Sequence, residues 1–270
     1  MVILALLAAY PAFAQLPQNP SPMVEHRRPH PRLLEQHPPG RRESLSLGTL
    51  FIPPRPRPHT LLFFFHGGTW LPEVAAAKRR LTVITIQIGA GSAVYSRAFA
   101  SPSRFGKLIA EAEAYSGVTY KRILLAGWSA GNGAIRAILR DPDSYPRVSA
   151  VLDIDGMHAG YVNGKPDPRD LDIWARLSLD AMAGKKRFLI THSEIYPGTF
   201  ASTTETADWL LDEIHLKAKP VLRHGPMGTQ QLSEAKKGKF LLRGFAGNSA
   251  PDHVDQLHSL PDYLRWLLRR

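Results

Sequence analysis

At 270 residues the chain is long enough for one large domain with a sizeable core. It contains no cysteine, which excludes disulfides, a cysteine nucleophile and a thiolate metal site. The net charge of +11 favours anionic surroundings, but the basic residues are spread along the chain without a nucleic-acid-binding motif, so no nucleic-acid partner is expected.

The chain opens on an apolar run over residues 1–9, too short to span a bilayer, that leads into Ala12-Phe13-Ala14. This A-x-A pattern predicts a signal peptide over residues 1–14, with Gln15 as the first mature residue and a secreted or periplasmic destination. The pattern departs from the usual one in having no Lys or Arg ahead of the apolar run. No segment reaches the eighteen or so apolar residues of a membrane span. Residues 15–59 read as an extended Pro/Arg-rich leader: residues 11–59 hold 12 of the 23 prolines, which resist helix and central strand alike. Within the leader, residues 44–52 alternate enough to predict an edge strand.

From Thr60 onward strands and helices alternate, which predicts one α/β domain over 60–270 with a mostly parallel sheet. Residues 61–65 form a continuous apolar run, expected of a strand covered on both faces. Further strands are predicted over 82–88, 123–125, 148–154, 187–190 and 239–243. Helices are predicted over 103–115, 134–140, 170–182 and 206–216, with a closing helix over 253–269 that Pro261 divides or kinks. The stretch 222–226 reads as a loop.

Two of these junctions carry chemistry. Gly127-Trp128-Ser129-Ala130-Gly131 lies between a short apolar strand and a good helix former, the setting of a nucleophile elbow. So sharp a turn leaves no room for side chains at Gly127 and Gly131, and it holds the Ser129 hydroxyl out over the sheet. About sixty residues earlier, the run 61–65 ends in His66-Gly67-Gly68-Thr69-Trp70. With these two motifs in this order the chain resembles the α/β-hydrolases, over roughly Thr60 to the C-terminus.

The resemblance implies a mostly parallel central sheet flanked by helices. It also implies an oxyanion hole of backbone N–H groups at Gly68 or Thr69 together with Ala130. It implies the order serine, acid, histidine, with the histidine after the last strand. On that order His253 is the expected base and His258 the alternative. Glu194, just past the strand 187–190, takes the usual place of the acid, and Asp155 is the alternative. Asp153 would be a buried charge inside its strand, and Asp208 falls near a solvent face. Asp252 is expected to cap the closing helix.

The stretch between Asp155 and Lys185 leaves room for only a minimal lid, and hence for an open site suited to exposed or polymeric substrates. Trp70, Tyr95, Trp128 and Trp174 are candidates for an aromatic wall, with core packing as the competing role for Trp128. The reading that follows is a secreted serine hydrolase of carboxylic esters, with no cofactor and no metal. The alternatives are a serine peptidase or amidase of the same fold acting on anionic cell-wall peptides, and a non-catalytic binding protein on the same scaffold. Neither the oligomeric state nor the natural substrate is encoded in these motifs.

Overall fold

The computed structural model describes residues 32–269. The expected signal peptide over 1–14 and the leader over 15–31 lie outside the described residues. Residues 41–52, read as leader, instead open the sheet: β1 (Arg41–Ser44) and β2 (Thr49–Ile52) pair as an antiparallel hairpin, and β2 pairs antiparallel with β4. The predicted edge strand over 44–52 is therefore two short strands. The reason is local, since Leu45 N–H donates to Gly48 O across a turn in which Gly48 has a φ of 84°.

The chain then alternates as its sequence pattern dictates. β3 (Thr60–Phe65), α1 (Trp70–Ala77), β4 (Thr82–Ile86), α2 (Ser92–Ala98), α3 (Pro102–Ser116) and β5 (Arg122–Trp128) make up the first half. α4 (Asn132–Arg140) and β6 (Val148–Ile154) follow the elbow. A small hairpin of β7 (Tyr161–Val162) and β8 (Lys165–Pro166) and the helix α5 (Pro168–Met182) occupy the lid position. β9 (Arg187–His192), α6 (Thr203–Glu213), β10 (Lys219–His224), β11 (Gln230–Lys237) and β12 (Phe240–Phe245) complete the strands. The closing helix is divided at Pro261 into α7 (Ala250–His258) and α8 (Leu260–Leu267).

Among the described residues one sheet runs in the order β1-β2-β4-β3-β5-β6-β9-β12-β11-β10. The central six strands, from β4 to β12, are parallel, and the strands added at either side are antiparallel. β10 and β11 were not foreseen. β10 is mostly exposed and takes in His224, so it carries none of the apolar signal of a buried strand.

Residues 61–65 show why β3 reads as unbroken apolar sequence. Leu61, Phe63 and Phe65 pack on one side with residues of α2, α3, α4, α5 and α6. Leu62 and Phe64 pack on the other with residues of α1, α7 and α8. A parallel strand between two helical layers must be apolar at every position.

At the turn from β5 to α4 the glycines are sterically required. A Cβ on Gly127 would stand 2.9 Å from Ile135 Cδ1, and one on Gly131 would overlap the carbonyl oxygen of Phe65. Phe65 is the last residue of the neighbouring strand β3, so the contact cannot be relieved by rotating a side chain. Replacing Gly131 by alanine is expected to destabilise the fold by about 1–3 kcal/mol. Gly160→Ala meets no atom nearer than Asp170 Oδ2 at 3.7 Å and should stay within about 0.5 kcal/mol of the parent. Urea unfolding of the two variants checks this, and equal midpoints would show that the turn relaxes.

Candidate active site

Three residues at the carboxyl ends of the parallel strands adopt positive φ without being glycine. They are His66 after β3 (φ 68°), Ser129 after β5 (51°) and Asp155 after β6 (46°). Such backbone costs about 1–3 kcal/mol per residue and persists only where the surroundings enforce it. Here the enforcement is visible: Gly156, following Asp155, is packed so closely on the elbow that a Cβ would lie 2.7 Å from Ser129 O.

Asp155 is almost fully buried and accepts from several directions. Its Oδ2 lies 2.7 Å from His253 Nδ1 and 2.7 Å from the Ser193 hydroxyl, which donates to it. Its Oδ1 accepts from Ser193 N–H at 2.9 Å and from the Thr203 hydroxyl at 2.8 Å. Burial pushes this carboxyl upward, but the hydrogen bond and charge of His253, with the two hydroxyls, outweigh it and hold Asp155 below the ordinary carboxylate range. Two residues earlier, Asp153 is fully buried inside β6 with little to offset the loss of water, and its pKa lies well above the usual value. Two carboxyls two residues apart are thus shifted in opposite directions by their surroundings.

The histidine faces Asp155, the alternative acid of the sequence reading, rather than Glu194. The β6–β9 register pairs Ile154 with Thr191 and so sets Asp155 level with His192, leaving Glu194 two residues further along and exposed. Glu194 fastens a loop instead: its N–H donates to Gly247 O at 3.0 Å, and Gly247 N–H donates to its carboxylate at 3.3 Å. That loop carries the chain from β12 to His253. Ser249, not Asp252, precedes α7; its N–H and hydroxyl both donate to the Asp252 carboxylate, at 3.1 and 2.6 Å.

Two imidazoles lie against Trp128. His66 stacks on it at 5.2 Å and 11°, and His253 lies at 4.5 Å and 33°, while Trp128 Nε1 donates to His253 O at 3.0 Å. Burial, followed by the nearby His253, holds His66 below its ordinary pKa. His66 Nδ1 lies 3.0 Å from the Tyr95 hydroxyl, which donates to Gly89 O at 3.2 Å. His258, the alternative base, is buried facing the other way: its Nδ1 accepts from Leu33 N–H at 3.0 Å. Among the described residues no hydrogen bond joins Ser129 to His253; Trp128 is what brings the two segments together.

Ser129 and Ala130 open on a cavity of about 470 Å³, also bordered by His66, His158, Phe200 and Arg136. Of the expected oxyanion donors, only Ala130 borders it. The N–H groups of Gly67 and Gly68 converge instead on Gln87 Oε1, at 2.9 and 3.1 Å, because φ values of 99° and 87° curl the turn toward the end of β4. Thr69 is exposed at the start of α1. Nor do Tyr95 and Trp174 form an aromatic wall. Both are fully buried, Trp174 stacking on Phe188 at 5.7 Å, and Phe200 is the aromatic side chain that reaches the cavity. Among the described residues no three His, Asp or Glu side chains converge as a metal site, and no helix is long and apolar enough to cross a membrane.

No family model matches the sequence, and no curated protein matches it. Among solved structures, the chain is similar to a hormone-sensitive lipase from a metagenome library. That pair shares 12% identity over 88% of this chain and 87% of the other, with a TM-score of 0.51. The chain has the α/β-hydrolase fold. It is also similar to the carboxylesterase CesB from Bacillus subtilis, at 10% identity over 86% of this chain and 92% of that one, with a TM-score of 0.46. A soluble variant of monoglyceride lipase from Saccharomyces cerevisiae matches at 9% identity over 91% and 100%, with a TM-score of 0.45. In this fold, the cavity described above lies at the carboxyl ends of the parallel strands, where open α/β sheets bind ligands.

Burial pushes the pKa of His192, at the end of β9, down to about 4. An unfolded chain protonates this imidazole near 6.5, so its contribution is complete above that pH and is lost progressively down to about 4, for a total of roughly 3 kcal/mol. His192→Gln should flatten the dependence of the melting temperature on pH across this window. A profile as steep as that of the parent would assign the acid sensitivity to other groups.

Proposed function

We propose that the protein is a serine hydrolase of carboxylic esters, with Ser129 as nucleophile, His253 as base and Asp155 as the orienting carboxylate. The observation that carries this reading is the 2.7 Å bond between Asp155 Oδ2 and His253 Nδ1, formed beside a serine on a strained strand-to-helix turn. The bond fixes the tautomer in which Nδ1 holds the proton and Nε2 is free to accept one from the serine hydroxyl. Ser129 Oγ then attacks the ester carbonyl, His253 takes its proton and returns it to the leaving alkoxide, and water releases the acyl group by the same route. The Ala130 N–H, the expected donor that borders the cavity, meets the oxyanion. A cavity of about 470 Å³ lies in the range of small-molecule sites and suits a modest acyl or alcohol group. The similarity to a hormone-sensitive lipase agrees with an ester substrate, and the Ala12-Phe13-Ala14 pattern supports export.

The test is intact-mass analysis after treatment with a fluorophosphonate. The parent should gain a single adduct that Ser129→Ala and His253→Ala both lack, and a folded parent that gains none overturns the proposal. Asp155→Asn should lower ester turnover by roughly 10⁴-fold. Glu194→Gln, which touches only the loop, should keep its turnover. The opposite ranking would return the acid's role to Glu194.

A further inference from the structure

One cation borders the catalytic cavity, and nothing in the proposed reaction uses it. Arg136 lies on α4, the helix that follows the elbow. Its side chain is only 15% exposed and lines the cavity that Ser129 opens on. Guanidinium Nη1 lies 2.8 Å from Asp170 Oδ1, in the first turn of α5. The other oxygen of Asp170 accepts from Gly160 N–H at 3.0 Å. Asp170 is therefore held from both sides and acts as a strut that fixes the guanidinium.

A guanidinium carries five N–H donors in a planar fork. Among the described residues its ion pair is with Asp170. Burial lowers the Arg136 pKa, the charges of Asp170 and Asp172 oppose it, and the like charge of Arg140 adds to it. The rest of the cavity offers it little: Ala90, Ala159 and Phe200 are apolar, and burial holds His66 and His158 toward their neutral forms.

We propose that Arg136 is the specificity-determining residue of this cavity and binds a carboxylate carried by the ester substrate. The inference rests on the serine-hydrolase reading. A carboxylate matches the planar fork in a two-point contact that a neutral acceptor makes only in part. Asp170 leaves the cluster with one negative charge when a carboxylate binds and two when a phosphate dianion does, which favours the smaller charge. The chain's overall charge of +11 draws either toward the protein.

The experiment compares ester pairs on the full chain. With the carboxylate on the acyl side, 4-nitrophenyl hemiglutarate is set against 4-nitrophenyl pentanoate and the glutaramate ester. With it on the leaving side, 4-carboxyphenyl butyrate is set against phenyl butyrate. In one of the two arms the carboxylate ester should show a kcat/KM about tenfold or more above its neutral counterparts. Arg136→Gln should bring that ratio toward one, and Arg136→Lys, which keeps charge without the fork, should leave it in between. The ratio within each variant is read, so a general loss of activity does not imitate the result. Neutral esters preferred in both arms of the parent, or a ratio unchanged in Arg136→Gln, would overturn the proposal. If no ester is cleaved and no fluorophosphonate adduct forms, the hydrolase reading fails separately. Calorimetric titration of Ser129→Ala with glutarate then decides the carboxylate site: binding that Arg136→Gln removes supports it, and absence of binding overturns it.

Discussion

A single buried carboxylate organises the upper edge of this molecule. Asp155 accepts from His253 at the start of α7, from Ser193 beyond β9 and from Thr203 at the start of α6. Three segments thus meet on the two oxygen atoms of a residue at the end of β6. A carboxylate so deep is tolerated only if its lone pairs are filled, and the same donors that fill them place the imidazole. Removing any one donor would leave part of a buried charge without a partner, so the geometry of the histidine is bound up with the stability of the fold around it.

Around that carboxylate the backbone is forced. The positive φ values of His66, Ser129 and Asp155 sit at the ends of three adjacent parallel strands, β3, β5 and β6. Gly131 presses against Phe65, and Gly156 against Ser129, so each strained turn is wedged by its neighbour. Trp128 adds ring contacts to two imidazoles, His66 and His253. Strain, close packing and ring stacking act on the same few residues, and a local change at one is felt at the others.

Much of this was legible in the sequence, for reasons that differ by residue. The run from Leu61 to Phe65 announced a strand covered on both sides, and the spacing of Gly127 and Gly131 announced a turn with no room for Cβ atoms. Which of Glu194 and Asp155 faces His253 was not legible, because it depends on how β6 and β9 are staggered, and both carboxylates follow a strand end. Tyr95 and Trp174 illustrate a different limit: large aromatic rings read the same whether they line a cavity or fill a core. Gln87 escaped notice because an exposed glutamine after a strand has no signature, yet its side-chain oxygen collects two N–H groups of the His-Gly-Gly turn. β10 and β11 were missed because an outer antiparallel strand needs few apolar residues.

The outer strands also bear on how copies of this chain behave beside one another. Among the described residues the sheet has ten strands and ends in two rows of backbone groups, the kind of edge that can pair with another chain and aggregate. Here β1 is Arg41-Arg42-Glu43-Ser44, short and charged, with Arg42 turned inward onto Glu73 at 2.6 Å. At the far side β10 carries Lys219, Pro220 and Arg223, and its register is interrupted between Pro220 and Arg223. Proline withholds a donor, the irregularity bends the ladder, and like charges would oppose each other across any added strand. The sheet is long, but neither end of it is a good template for its own continuation.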